Sequence, residues 1–164
     1  MKLRRLELKD APLMLEWMHD PDVCKYMKRD FNSMKLENCQ AFIKSSQDDE
    51  ENLHLAVVDD SDEYMGTVSL KEIDRQNGIA EFAITMRSAA MGKGYSAFGM
   101  REILRYGLTE MGLKKVVWCV SKQNLRANRF YDKNGYKKIT DVPQNYKELY
   151  PEHSEMNWYL AEAE

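Results

Sequence analysis

At 164 residues, 43 % hydrophobic and 10 % aromatic, the chain has apolar sequence for one core and too little length for two full domains. The formal charge is −3, with 24 basic residues dispersed among 27 acidic ones, which argues against a cationic surface for nucleic acid or anionic lipid. No stretch reaches the roughly 20 apolar residues that span a bilayer, and the N-terminal MKLRRLELKDA lacks an apolar signal core. A single domain over residues 1–164, cytoplasmic and without a membrane partner, is expected.

The first strand is predicted from Lys2 to Leu8. Asp10 as cap, Pro12 in the first turn, and Leu13, Met14, Trp17 and Met18 at helical spacing predict a helix from about Ala11 to His19. DPDVCKYM reads as a connector. SMKLENCQAFIKSSQ reads as a second helix, with Ser33 as cap and Leu36, Cys39, Ala41, Phe42 and Ile43 facing inward.

Three β-rich runs follow, LHLAVVDD, YMGTVSLKEI and IAEFAITM, the last two separated by a turn at Asn77-Gly78. They predict an antiparallel meander. From Tyr95 the pattern turns helical through about Met111, then comes the strand KKVVWCV, a helix over NLRANRFYDKN with Gly135 as its stop, and strands in YKKIT and EMNWYL. The whole reads as a mixed α/β chain around one sheet.

Cys24, Cys39 and Cys119 are odd in number and contain no C-x-x-C pair, so neither a disulfide framework nor a cysteine zinc site is expected. His19, His54 and His153 lie far apart without a nucleophile or ligand at useful spacing. No metal is expected.

Gly92-Lys93-Gly94-Tyr95-Ser96-Ala97 formally satisfies G-x-G-x-x-A. A dinucleotide site is disfavoured, because the next strand ends in Val120-Ser121-Lys122 and not in the acidic residue that holds a ribose. A Walker loop fails because Tyr95 stands where a lysine is required. One glycine suffices for a turn, whereas two flanking a helix start leave backbone N–H groups uncovered, which makes an anion cradle.

With these glycines the chain resembles the GNAT superfamily of acetyl-CoA-dependent N-acetyltransferases, whose pyrophosphate loop reads Q/R-x-x-G-x-G/A. Ala89-Ala90-Met91-Gly92-Lys93-Gly94 matches at both glycines and departs at Ala89, where Arg87 is a possible substitute. Downstream, Asn124, Ala127, Tyr131, Gly135 and Tyr136 are similar to the family's N-x-x-A-x-x-x-Y-x-x-x-G-F/Y stretch. Tyr64 to Leu70 is similar to its third strand, and LEWMHDPDV to the first helix of its ribosomal-protein acetyltransferase branch.

The resemblance implies a mostly antiparallel twisted sheet of about seven strands, flanked by about four helices and splayed between strands 4 and 5. It implies acetyl-CoA as cofactor, with its arm lying along Phe82 to Met86 and a backbone N–H near Ala83 or Ile84 polarising the thioester carbonyl. Met86, Arg87, Met91, Gly92, Lys93, Gly94, Tyr95 and Ser96 are expected to contact the cofactor, with Asn124 of the later helix holding its arm and Arg126 beside its phosphates. Arg129 and Lys133 add local positive charge there.

A primary amine is mostly ammonium at neutral pH, so a base or a water relay must take its proton. Glu81, a carboxylate within an apolar strand, is the first candidate and Glu72 the second. Tyr131 matches the family position for the acid that protonates the leaving thiolate, and it also belongs to the expected cofactor contacts.

The acceptor is expected between the first two helices, HDPDVCKYMKRDF and VPQNYKELYPEHS. Asp20, Asp22, Glu72 and Glu81 suit a cationic amine, and Trp17, Tyr26, Phe31, Tyr146 and Tyr150 suit a sugar or a core. A small amine or amino sugar, a protein N-terminus, and a non-catalytic acyl-CoA-binding role all stay open at this stage, as does a monomer or homodimer. Nucleic acid is not expected as a partner.

Overall fold

The computed structural model describes all of residues 1–164. Strand β1 (Lys2–Arg5) leads through a 3-10 turn at Leu8–Asp10 into helix α1 (Ala11–Met18), a single helical turn α2 (Pro21–Cys24) and α3 (Leu36–Ser46). The meander β2 (Leu53–Val58), β3 (Tyr64–Asp74) and β4 (Ile79–Met86) follows. The C-terminal half is α4 (Tyr95–Thr109), β5 (Lys115–Ser121), α5 (Leu125–Lys133), β6 (Lys137–Ile139), the single turn α6 (Gln144–Lys147) and β7 (Met156–Glu162).

All seven strands join one sheet in the order β1-β2-β3-β4-β5-β7-β6. Every neighbouring pair is antiparallel except β4 and β5. Four of the six helices exceed one turn, so the expected mixed architecture holds.

Alternation along the strands gives the sheet two packed faces. On one, Val57, Val68, Leu70, Phe82 and Trp118 meet Met100 and Ile103 of α4. On the other, Ala56, Val58 and Tyr64 meet Met14 and Trp17 of α1 and Ile43 of α3. A smaller cluster, built on Val117, Tyr146 and Trp158, continues that second face beneath the loop preceding β7.

Local chemistry moved several predicted boundaries. β1 stops at Arg5 because the Asp10 carboxylate turns inward, accepting from Arg4 Nη1 and from the Glu7 N–H, each at 2.8 Å. It therefore does not cap α1. α3 starts at Leu36 because Asn38 Oδ1 takes the Lys35 N–H at 2.8 Å, whereas Ser33 Oγ donates to the Asp30 carbonyl. Ala41 is exposed on that helix.

α4 sits close on the sheet because Gly99 has no side chain at the contact. A Cβ there would lie 2.6 Å from Val57 Cγ2 and 3.1 Å from Val68 Cγ1. Gly99→Ala is therefore expected to destabilise the protein by about 1–3 kcal/mol through overpacking, measured by urea denaturation. Unchanged stability would contradict this account of the α4 contact.

Candidate active site

β4 is paired with β3 along its length, and β5 with β7 from end to end, yet β4 and β5 meet only at residues 79–81 and 115–117. Beyond Glu81 and Val117 the strands part. Arg87 N–H donates to the Met65 carbonyl on β3 at 2.9 Å, and the register from Gly66↔Met86 to Lys71↔Glu81 is unbroken. By the alternation of an antiparallel ladder, Ala83 and Thr85 also spend their peptide groups on β3, while Ile84 and Met86 turn theirs toward the opening, and Phe82, whose N–H closes the last parallel bridge to Val117, turns its carbonyl there. Of the two expected N–H donors, that of Ala83 is held by β3 and only that of Ile84 faces the opening.

At the far end of β4 a 3-10 turn at Ser88–Ala90 leads through Met91 to Gly92 and Gly94 at φ +73° and +87°. Gly94 is the N-cap of α4 and provides no side-chain cap, so the first N–H groups of Tyr95, Ser96 and Ala97 have no capping side chain. A Cβ on Gly92 would meet nothing within 4 Å, which leaves the loop open on its outer side. Lys93 is exposed beside it, and Arg126 is exposed near the start of α5. This is a concave set of donors at a positive helix terminus, suited to phosphate.

Arg87 does not serve that loop. Its guanidinium is buried, with Nε 3.0 Å from Glu16 Oε1, Nη2 3.1 Å from Glu16 Oε2 and Nη1 2.9 Å from the Tyr64 carbonyl. Those bonds tie the loop to α1, and Ser88 Oγ, which donates to Asp20 at 2.6 Å, ties it to the N-cap of α2. The expectation that Arg87 replaces the polar residue missing at Ala89 is corrected accordingly.

α5 lies on the same side of the sheet as α4. Its Tyr131 is buried among Trp118, Tyr136 and Tyr159, with ring centroids 5.6, 6.4 and 5.0 Å away. The hydroxyl takes no partner within the chain. Trp118 Nε1 is the one enclosed side-chain polar atom without a partner, so the Tyr131 hydroxyl opens on accessible space. Burial pushes its phenol up, keeping it protonated across the neutral range. Asn124 caps α5, its Oδ1 accepting from the Ala127 N–H at 3.2 Å, so its carbonyl is committed to the helix.

Glu81 occupies the apex of the opening on the other face, 3 % exposed. Its Oε2 accepts from the Tyr150 hydroxyl, and Lys71 Nζ, opposite in the β3 register, is 3.4 Å from Oε1. Cys119 of β5 shares this face; burial, then the charges of Glu81 and Glu152, pushes its thiol up to about 12. No thiolate is available there at neutral pH.

Glu72 is not part of this group. It sits exposed at φ +49° in a bulge of β3 and lines a separate hollow of about 580 Å³ with Glu50, Glu51 and Asp74. Sequence reasoning missed the carboxylate contacts of Lys71 and Tyr150, because both depend on strand register and loop path.

A family model described as acetyltransferase (GNAT) domain matches residues 1–137. Uncharacterized N-acetyltransferase p20 of Bacillus licheniformis is 30 % identical over 125 residues, covering 74 % of this chain and 70 % of that protein. Spermidine N(1)-acetyltransferase of Escherichia coli K12 is 29 % identical over 135 residues, covering 82 % and 72 %. Among solved structures, spermidine N-acetyltransferase from Vibrio cholerae in complex with CoA and spermine superposes with a TM-score of 0.78 at 20 % identity, covering 97 % of this chain and 92 % of that one.

The capping role of Asn124 has its own test. Asn124→Ala is expected to cost about 1 kcal/mol of stability through the lost N-cap, and Asn124→Ser to recover most of it. Urea midpoints read the difference, and equal stability of the two variants would contradict the cap.

Proposed function

The chain belongs to the GNAT acetyltransferase family, and on that premise we propose that it transfers the acetyl group of acetyl-CoA to a small primary amine of the polyamine class. The carrying observation is the open edge of β4, with the Ile84 and Met86 peptide groups turned away from β3 beyond the last residue paired with β5, between the glycine loop and Tyr131. A chain of amides can pair with such an edge, and a pyrophosphate fits the donors around Gly92 and Gly94. When bound, acetyl-CoA supplies an acyl thioester with a thiol leaving group.

Residues 1–164 work as one domain in this reading. Glu81 receives the proton of the acceptor ammonium and frees the amine for attack. Ile84 N–H donates to the acyl oxygen where negative charge grows. Tyr131, neutral and unpartnered, returns a proton to the departing sulfur. Attack is direct, since Cys119 stays a thiol and offers no nucleophile for a covalent acyl-enzyme.

The polyamine acceptor is favoured over a ribosomal-protein terminus by the spermidine acetyltransferases among the relatives and by the acidic Glu81 at the apex. Thiol release from acetyl-CoA, followed across polyamines, aminoglycosides, amino sugars, amino acids and N-terminal peptides, is expected to be fastest with polyamines. Turnover confined to peptides, or cofactor binding without any turnover, would overturn this reading.

Tyr131→Phe is expected to keep acetyl-CoA affinity and to lower kcat by about 10²–10⁴-fold. Unchanged kcat at all pH values would remove Tyr131 from the mechanism. Glu81→Gln is expected to slow alkylamine acetylation most at low pH, where ammonium dominates, and least near the amine pKa of ~10. A rate loss independent of pH would point to a water relay in place of Glu81.

A further inference from the structure

The loop between β6 and β7 is anchored to the β3–β4 hairpin by two phenols. Tyr146 donates to the Glu72 and Ile79 carbonyls at 2.5 and 3.1 Å, and Tyr150 donates to Glu81 Oε2. The Tyr150 ring is held edge-on against Trp158 of β7, with centroids 5.7 Å apart and planes at 81°. Its hydroxyl position is therefore set by the loop and by β7 together.

This leaves the two oxygens of Glu81 in different situations. Oε2 is taken by a neutral, half-buried donor whose ring is held against Trp158. Oε1 faces Lys71, whose side chain is 35 % exposed and sits on a flexible stem that can swing into solvent. A hydrogen bond to a charged carboxylate is among the stronger ones and fixes the plane of the group.

We propose that Tyr150 is the positioning residue for Glu81, holding the carboxylate so that Oε1 receives the proton of the acceptor amine at the place otherwise occupied by the Lys71 ammonium. The proposal rests on the reading of Glu81 as the base. In the step itself the N–H bond of the ammonium breaks, an O–H bond forms at Oε1, and the freed electron pair stays on the amine nitrogen. Tyr150 keeps its own proton throughout.

Lys71 from β3 and Tyr150 from the loop before β7 meet the Glu81 oxygens, with Cys119 from β5 and, farther off in the same loop, Tyr146 and Glu152 as the remaining titratable groups on this side. Burial pushes the Tyr146 phenol and the Cys119 thiol up to about 12 each, and raises Tyr150 as well. The Lys28 ammonium, 2.8 Å away, holds the Glu152 carboxyl below its usual range. Of these, Cys119, Tyr146, Tyr150 and Glu152 do not change charge between neutral pH and pH ~9.

The test compares Tyr150→Phe, Tyr146→Phe and Glu81→Gln, with saturating acetyl-CoA and spermidine as acceptor, from neutral pH to near the amine pKa of ~10. Tyr150→Phe retains the ring against Trp158. It is expected to lower kcat about ten- to a hundredfold at neutral pH, leave the KM for acetyl-CoA unchanged, and approach the parent rate as the amine deprotonates unaided. Tyr146→Phe loosens the same loop without touching Glu81, and its rate loss is expected to be uniform over pH.

A uniform loss in Tyr150→Phe, or none, beside a pH-dependent loss in Glu81→Gln would overturn the positioning role and leave the base intact. A pH-independent Glu81→Gln profile would overturn the base itself and this proposal with it.

Discussion

The separation of β4 from β5 after three paired residues is the constraint on which the other features of the site depend. Inside a sheet, backbone N–H and C=O groups are normally consumed by the neighbouring strand, and leaving them unpaired is costly unless something else takes them. Here each strand keeps its outer partner, β3 for β4 and β7 for β5, so the sheet survives while one internal edge stays open. Glu81 is the last paired residue of β4, and Tyr131 packs on Trp118, the first residue of β5 beyond the pairing.

The two faces of the sheet divide the chemistry. On the α4 and α5 side lie the glycine loop, Tyr131 and the orphaned Trp118 indole, the groups suited to a phosphorylated thiol ligand. On the α1 and α3 side lie Glu81, Lys71, Tyr150 and Cys119, the groups suited to handling an ammonium. Only the opening connects them. The bonds from Arg87 to Glu16 and from Ser88 to Asp20 fasten the glycine loop to the helices of the second side, so both half-sites are held in one frame.

The strand and helix order was legible in the sequence because periodicity and turn residues are local signals. The glycine pair stood out as a local turn signal at a helix start, whereas Tyr131 stood out only through the resemblance of its stretch to the family's pattern. What lay beyond reach depended on register. A two-residue turn at Asn77-Gly78 would set Glu81 opposite Asp74, whereas the longer turn and the bulge at Glu72 set it opposite Lys71. The contact of Tyr150 with Glu81, 69 residues apart in sequence, depends on the path of an irregular loop. The bonds of Arg87 to Glu16 and of the Asn124 carbonyl to the start of α5 were not legible, because a polar residue beside a ligand loop or at a helix start is equally suited to structural bonding and to a ligand.

The central claim is that the open edge of β4 and the glycine loop form one continuous binding surface for the cofactor. Amide hydrogen exchange, resolved to single residues with and without coenzyme A, tests it most directly. The account predicts new protection at Ile84, Met86 and residues 92–96, with Ala83 and Thr85 slow in both states because β3 already holds them. Protection at Ala83 and Thr85 in place of Ile84 and Met86, or none anywhere along β4, would contradict it.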